Sequence, residues 1–183
     1  MKEKVYFLST KNLGLRSLRL DDALSGEYID WFNDIKVCQY NSHHIYPYTI
    51  DKGKQYILET SERTDIIVLA IEELFSGNHI GNISLQKIDY ISRNAEIAFL
   101  IGDKKSWCKS YATEAGRVVI QYAFNTLNLH RLYLGTAENN IGMQKVATKL
   151  GFTQEGIRKE AIFKNGDYYN IIEYGLLKSV YAY

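Results

Sequence analysis

Apolar positions change their period along the chain, and each change marks an element. Leu13 and Leu15, then Leu18 and Leu20, alternate with one break, which predicts a strand. Asp21 and Asp22 open a helical pattern through Tyr28, Ile29, Trp31 and Phe32, with acidic residues where a first turn favours them. Polar and aromatic residues from Gln39 to Thr49 read as a loop. A second helix starts near Asp51 and carries Tyr56 and Ile57. Ile66 to Ile71 is a continuous apolar run, as in a central strand buried on both faces. Ser76-Gly77-Asn78 turns that run into His79–Leu85, a hairpin, and Asn94–Ile101 is a further strand. Ala115, Val118, Val119, Tyr122 and Ala123 fall at i, i+3, i+4, i+7 and i+8, the clearest helix of the chain.

Leu132 and Leu134 give a short strand. Asn139 or Asn140 can cap a helix with Met143, Val146, Ala147 and Leu150 on its apolar side, and Gly151 stands where a left-handed C-terminal residue is wanted. Ile157 to Lys178 reads as two strands joined by Asn165-Gly166, a strong hairpin signal. The order is strand, two helices, three strands, helix, strand, helix, two strands. It predicts an α/β fold around one sheet, and no linker or repeat divides residues 1–183 into more than a single domain.

Composition narrows the classes of function. Lys+Arg 22 against Asp+Glu 21 leaves a formal charge of +1, so there is no electrostatic footprint for gripping nucleic acid. No apolar run reaches the roughly 18 residues needed to cross a bilayer. Cys38 and Cys108 form no close pair and no metal-ligand spacing; they read as free thiols in a reducing compartment, which points to the cytoplasm and to no metal site. Fifteen tyrosines suggest a site or interface with amphipathic aromatic walls.

Several segments then carry a resemblance. Ala95-Glu-Ile-Ala-Phe-Leu-Ile-Gly102, Trp107-Cys-Lys-Ser-Tyr-Ala-Thr-Glu-Ala115, Leu129-His-Arg-Leu132, Glu138-Asn-Asn140, Lys149-Leu-Gly-Phe152, Glu155-Gly-Ile-Arg158 and Asn165-Gly-Asp167 occur in an order that covers nearly the whole chain. Together they resemble the GNAT superfamily of acyltransferases and its RimJ/RimL-like branch. The resemblance implies a single mixed, mostly antiparallel sheet flanked by helices that binds acetyl-CoA as co-substrate. It places pantetheine along the strand edge at Phe99, Leu100 and Ile101, and the diphosphate at Cys108, Lys109, Ser110, Tyr111, Ala112 and Thr113. Asn140 and Lys145 are further cofactor candidates. The physical logic is that a helix N-terminus aims unpaired N–H groups at one point.

The chain also departs from the family. Cys108 and Ser110 replace glycines that flank the loop lysine, and glycine is the residue that tolerates positive φ. Ala147 replaces a tyrosine used by many relatives as general acid, Met143 a serine, and Gly135 a glutamate. The usual acid and base positions are therefore empty of proton-transfer groups.

Glu96 interrupts an apolar strand and is the candidate general base; the competing reading is a solvated carboxylate or one paired with Arg93 or Arg131. His43, His44 and Tyr168 are candidates for the acceptor site, against solvated loop histidines and a tyrosine covering sheet. His130 and Arg131 are expected to support the helix C-terminus that precedes them. The leading function is transfer of an acetyl group from acetyl-CoA to a primary amine of a small molecule, such as an amino sugar or a nucleotide-linked amino sugar. N-terminal acetylation of a ribosomal protein and a non-catalytic acyl-CoA-binding module are the alternatives, and a homodimer is a possible assembly.

Overall fold

A computed structural model describes residues 4 to 181. Eight strands form one sheet in the order β1-β2-β3-β4-β5-β6-β8-β7. They are β1 (Leu8–Ser9), β2 (Leu13–Ser17), β3 (Ile67–Glu73), β4 (His79–Asp89), β5 (Asn94–Ile101), β6 (Arg131–Ala137), β7 (Thr153–Lys164) and β8 (Asp167–Leu177). Every neighbouring pair is antiparallel except β5 and β6. The mixed, mostly antiparallel sheet expected from the sequence is the one present.

Helices cover both faces. On one side lie α4 (Tyr111–Asn125) and α5 (Ile141–Lys149), whose apolar stripes meet Leu13, Leu15, Ile83, Leu85, Ile97, Leu132 and Leu134 in the main core. On the other side α1 (Leu20–Ser25), α2 (Tyr28–Asn33) and α3 (Ile50–Glu62) bury Tyr28, Ile29, Trp31, Phe32 and Ile57 in a smaller aromatic cluster. Ala115, Val119 and Ala123 of α4 are at or below 2% exposure, as the 3.6-residue pattern expects, but Val118 and Tyr122 are only half-buried and the buried face turns instead to Ile120 and Phe124.

Local signals settle most boundaries. Asn165 and Gly166 both take positive φ, +53° and +94°, in the two-residue turn between β7 and β8. Asn140 caps α5 through its side chain, and Gly151 closes that helix at φ +89°. The predicted first helix, however, is two helices. Gly26 is extended between them, and Asp22 of α1 is buried against Arg16 of β2. The sequence pattern also omitted β1, two residues long, and stopped β4 short at Leu85. Helix α4 is closed at its C-terminal end by Lys178, whose Nζ donates to the Phe124 carbonyl at 2.7 Å, and not by His130 or Arg131.

Arg16 anchors the α1 layer. It is 6% exposed, and its guanidinium donates to both carboxylate oxygens of Asp22 (2.7 and 2.8 Å) and to Glu72 (2.5 Å). Glu72 also accepts from Tyr6 at 2.9 Å and faces Lys4, while the His79 ring stands 3.5 Å from Asp22. Burial opposes ionisation of Asp22, but the fork of Arg16, His79 and the Arg19 amide outweigh it and hold the carboxyl well below the usual range.

Candidate active site

The site is set by one irregularity of the sheet. β5 and β6 pair only at Asn94–Arg131, Ala95–Leu132 and Glu96–Tyr133, and above that rung the two strands part. β5 remains paired to β4 up to Ile101, and β6 to β8 up to Ala137. The facing edges of Ile97–Ile101 and Leu134–Ala137 therefore present free backbone groups across a wedge. Such an edge can take the amides of an extended ligand as it would take a strand. Of the predicted contact residues, Phe99 and Ile101 turn their side chains to the main core and Leu100 to the aromatic cluster; the register with β4 points the Leu100 backbone at Asn82 and leaves the Phe99 groups and the Ile101 N–H on the wedge side.

At the open end of the wedge stands the loop between β5 and α4. Trp107 donates its indole N–H to the Ile101 carbonyl at 2.8 Å and fixes where the strand ends. Cys108 and Ser110 then hold φ of +62° and +64°. Both substituted glycine positions thus keep the left-handed backbone that glycine would have adopted. Ser110 is the N-cap of α4 but gives it no side-chain cap. Among the described residues, the amides of Lys109 through Thr113 have no backbone acceptor. Left-handed residues at alternate positions followed by an uncapped fifteen-residue helix make an anion-binding concavity. The loop is tied down from β3: Tyr111 donates to Glu73 at 2.6 Å, and Lys109 lies 3.7 Å from the same carboxylate. This geometry fits a diphosphate, with Lys109 as the charged side chain at its rim.

Since a left-handed non-glycine residue costs roughly 1–2 kcal/mol, Ser110→Gly is expected to raise the stability by about 0.5–1 kcal/mol, after allowing for glycine's greater unfolded-state entropy. Urea unfolding measures it, and a loss of stability would contradict the assigned conformation.

Asn140 reaches the wedge from the α5 side. Its Oδ1 accepts the Met143 amide at 3.1 Å, so the cap occupies the oxygen and leaves the amide NH₂ to a ligand. Lys145 is exposed on α5 and takes part in no side-chain hydrogen bond or ion pair among the described residues. Ala147 is fully buried, Met143 packs on the main core, and the space above Gly135 is taken by Ile171 and Arg158.

Glu96 stands on the last rung before the strands part, on the face turned to α1–α3. Its partner is Lys87, at 2.7 Å, and neither Arg93 nor Arg131. The reason is a bulge: Lys87 sits at φ +51° where the β4–β5 register shifts, and that turns its ammonium over Glu96. Arg131 is bound to Glu155, and Arg158 to Glu173 at 2.8 Å. These three ion pairs and Tyr133 surround a hollow of about 390 Å³ beside the rung. Burial and the neighbouring Glu96 push the Tyr133 phenol up, so it stays protonated at neutral pH. Tyr133 had no signal in the sequence beyond its place in an alternating strand.

The acceptor candidates lie on two surface segments, the loop between α2 and α3 and the β7–β8 tip. The His43 ring packs edge-on against Phe32 at 4.8 Å, and burial with the nearby Lys164 ammonium lowers its pKa. His44 is exposed with φ +65°, and Tyr168 is exposed at the β7–β8 tip beside Phe163. Cys38 is buried and Cys108 exposed, both as free thiols. No helix among the described residues is long and apolar enough to cross a membrane.

Comparison with known proteins agrees with this geometry. Residues 12–153 match the family model described as the acetyltransferase (GNAT) domain. The putative ribosomal N-acetyltransferase YdaF of Bacillus subtilis is 35% identical over 105 residues, a match spanning 57% of each chain. Spermidine N(1)-acetyltransferase of Escherichia coli is 28% identical over 94% of this chain and 90% of its own. The crystal structure of spermidine N-acetyltransferase from Vibrio cholerae in complex with CoA and spermine superposes with a TM-score of 0.84, at 26% identity, over 93% of this chain and 98% of that one. An unpaired strand edge, an uncapped helix behind a left-handed loop and a family match over most of the length lead to one assignment: the chain belongs to the GNAT acetyltransferases and is an acetyl-CoA-dependent N-acetyltransferase.

Proposed function

We propose that the acceptor is a small primary amine of the polyamine type, acetylated on the α1–α3 side of the wedge. The observation that carries this reading is the acidic surface of α1 and α2. No Lys or Arg occurs from Leu20 to Ile35, while Asp21, Glu27 and Asp30 are exposed there without an ion-pair partner among the described residues. A polycation is drawn to such a surface and the field weakens with salt. That full-length relatives act on spermidine supports the same class. A reducing compartment such as the cytoplasm suits the two free thiols.

In this reading the protein supplies mainly position and charge stabilisation. The amides of 109–113, with Lys109, hold the diphosphate, and the free edge of Phe99–Ile101 with Asn140 holds pantetheine. A backbone N–H at the parting of β5 and β6 receives the developing oxyanion. Glu96, directly or through water, takes the proton lost by the amine as the new C–N bond forms and the C–S bond breaks. The protonated Tyr133 beside it is placed to give its proton to the departing CoA thiolate and to be reprotonated from Glu96, which closes the cycle.

The test compares kcat/KM for spermidine, spermine, amino sugars and N-terminal peptides under one assay of thiol release. Polyamines are expected to lead, and their advantage to shrink as salt rises. A peptide or amino sugar turning over faster than every polyamine would overturn the acceptor class.

A further inference from the structure

The two halves of the sheet share little backbone where the wedge opens, because β5–β6 pairing ends at Glu96. A second joint spans the gap on the α1–α3 side. Lys164, the last residue of β7, is half-buried and sends its ammonium into the loop between α2 and α3. There it donates to the carbonyl of Asn41 at 3.0 Å and to that of His43. The loop is shaped to receive it. The Asn41 side chain accepts the His43 amide at 2.9 Å, and His44 takes a left-handed turn, so the two carbonyls converge on one point.

The rest of the loop is fastened to α2. Asn33 donates to the Tyr48 carbonyl at 2.8 Å and accepts the Tyr48 amide at 2.9 Å. The Phe32 ring contacts both His43 (4.8 Å) and Tyr48 (4.5 Å), and Asp34 is bound to Lys104. The loop therefore moves with the N-terminal half of the sheet, and Lys164 links it to the β7–β8 hairpin of the other half. A partly buried ammonium held by neutral carbonyls is a charge-assisted contact of fixed geometry.

We infer that Lys164 is a positioning residue for the acceptor: its capture by the Asn41 and His43 carbonyls fixes the distance between the loop and the hairpin, and with it the width of the cleft above Glu96. The kinetic half of this inference rests on the small-amine reading given above. Lys164 shares no hydrogen bond or ion pair with residues 109–113 among the described residues, so acetyl-CoA binding is expected to stay unchanged.

Three full-length proteins test it: wild type, Lys164→Met and Lys164→Arg. Hydrogen exchange of the 41–48 segment, measured without acceptor, should speed up about tenfold in Lys164→Met and less in Lys164→Arg, which keeps a donor. The KM for the best amine should rise about tenfold in Lys164→Met with acetyl-CoA affinity within about twofold of wild type. Unchanged exchange would overturn the joint. Faster exchange with unchanged KM would overturn its role in positioning the acceptor. An equal weakening of acetyl-CoA binding would show a general loosening and overturn it too. If wild type acetylates no amine, the proposed function fails, and the exchange result alone still decides the joint.

Discussion

Replacing Arg16 by methionine is expected to destabilise the protein by about 3–5 kcal/mol, because two buried carboxylates lose the guanidinium they share and only Glu72 keeps another cation, the half-exposed Lys4. Asp22 and Glu72 are 8% and 2% exposed, so water cannot take over from the guanidinium. For a chain of this length the loss corresponds to roughly 2–4 °C of melting temperature per kcal/mol. The same network makes the wild type sensitive to acid. The native carboxyl of Asp22 is held low, so its contribution is present above the unfolded value of roughly 3.9 and is lost as pH falls from there through the much lower native value. The Glu72 carboxyl is likewise held low, burial being outweighed by Lys4 and Arg16, and adds in the same direction. Urea unfolding at pH 7 and near pH 2 should show a large difference in wild type and a smaller one in Arg16→Met. A loss under about 1 kcal/mol at pH 7 would mean that the network contributes no more than a surface pair.

Glu96→Gln should lower kcat by about 10²- to 10⁴-fold, the range for loss of a positioned general base. The amide keeps the size of the side chain and can still accept from Lys87, so the fold and the rung at Tyr133 should persist. Acetyl-CoA affinity should stay within about twofold, since the diphosphate loop and the edge of β5 are untouched. Raising the pH should recover part of the lost rate, as more amine arrives already deprotonated. A fall of less than about threefold at neutral pH would reduce Glu96 to the partner of Lys87 and leave proton removal to water.

How far the sequence carried the account depends on the range of each signal. Helix α4, the Asn140 cap, Gly151 and the Asn165-Gly166 turn are specified by neighbours a few residues apart, and each was found where its pattern put it. The break at Gly26 was not, nor was the burial of Asp22 against Arg16, which reads as an ordinary polar position of β2. The partner of Glu96 was mistaken because a bulge decides it, and nothing about Lys87 in the sequence announces a left-handed residue. Cys108 and Ser110 argued against a glycine-like loop by residue type, yet the backbone there keeps the glycine conformation. Lys164 and the Asn41–His43 carbonyls lie more than a hundred residues apart and meet only through the sheet order.

The central claim is that transfer takes place where β5 and β6 part, with the cofactor along the free edge of β5. A crystal structure of the protein with CoA tests this most directly. The diphosphate is expected on the amides of 109–113, pantetheine paired with the Phe99–Ile101 edge, and the sulfur beside the Glu96–Tyr133 rung. CoA found anywhere else on the protein, such as the hollow between Thr10 and Arg117, with the wedge closed or empty, would contradict it.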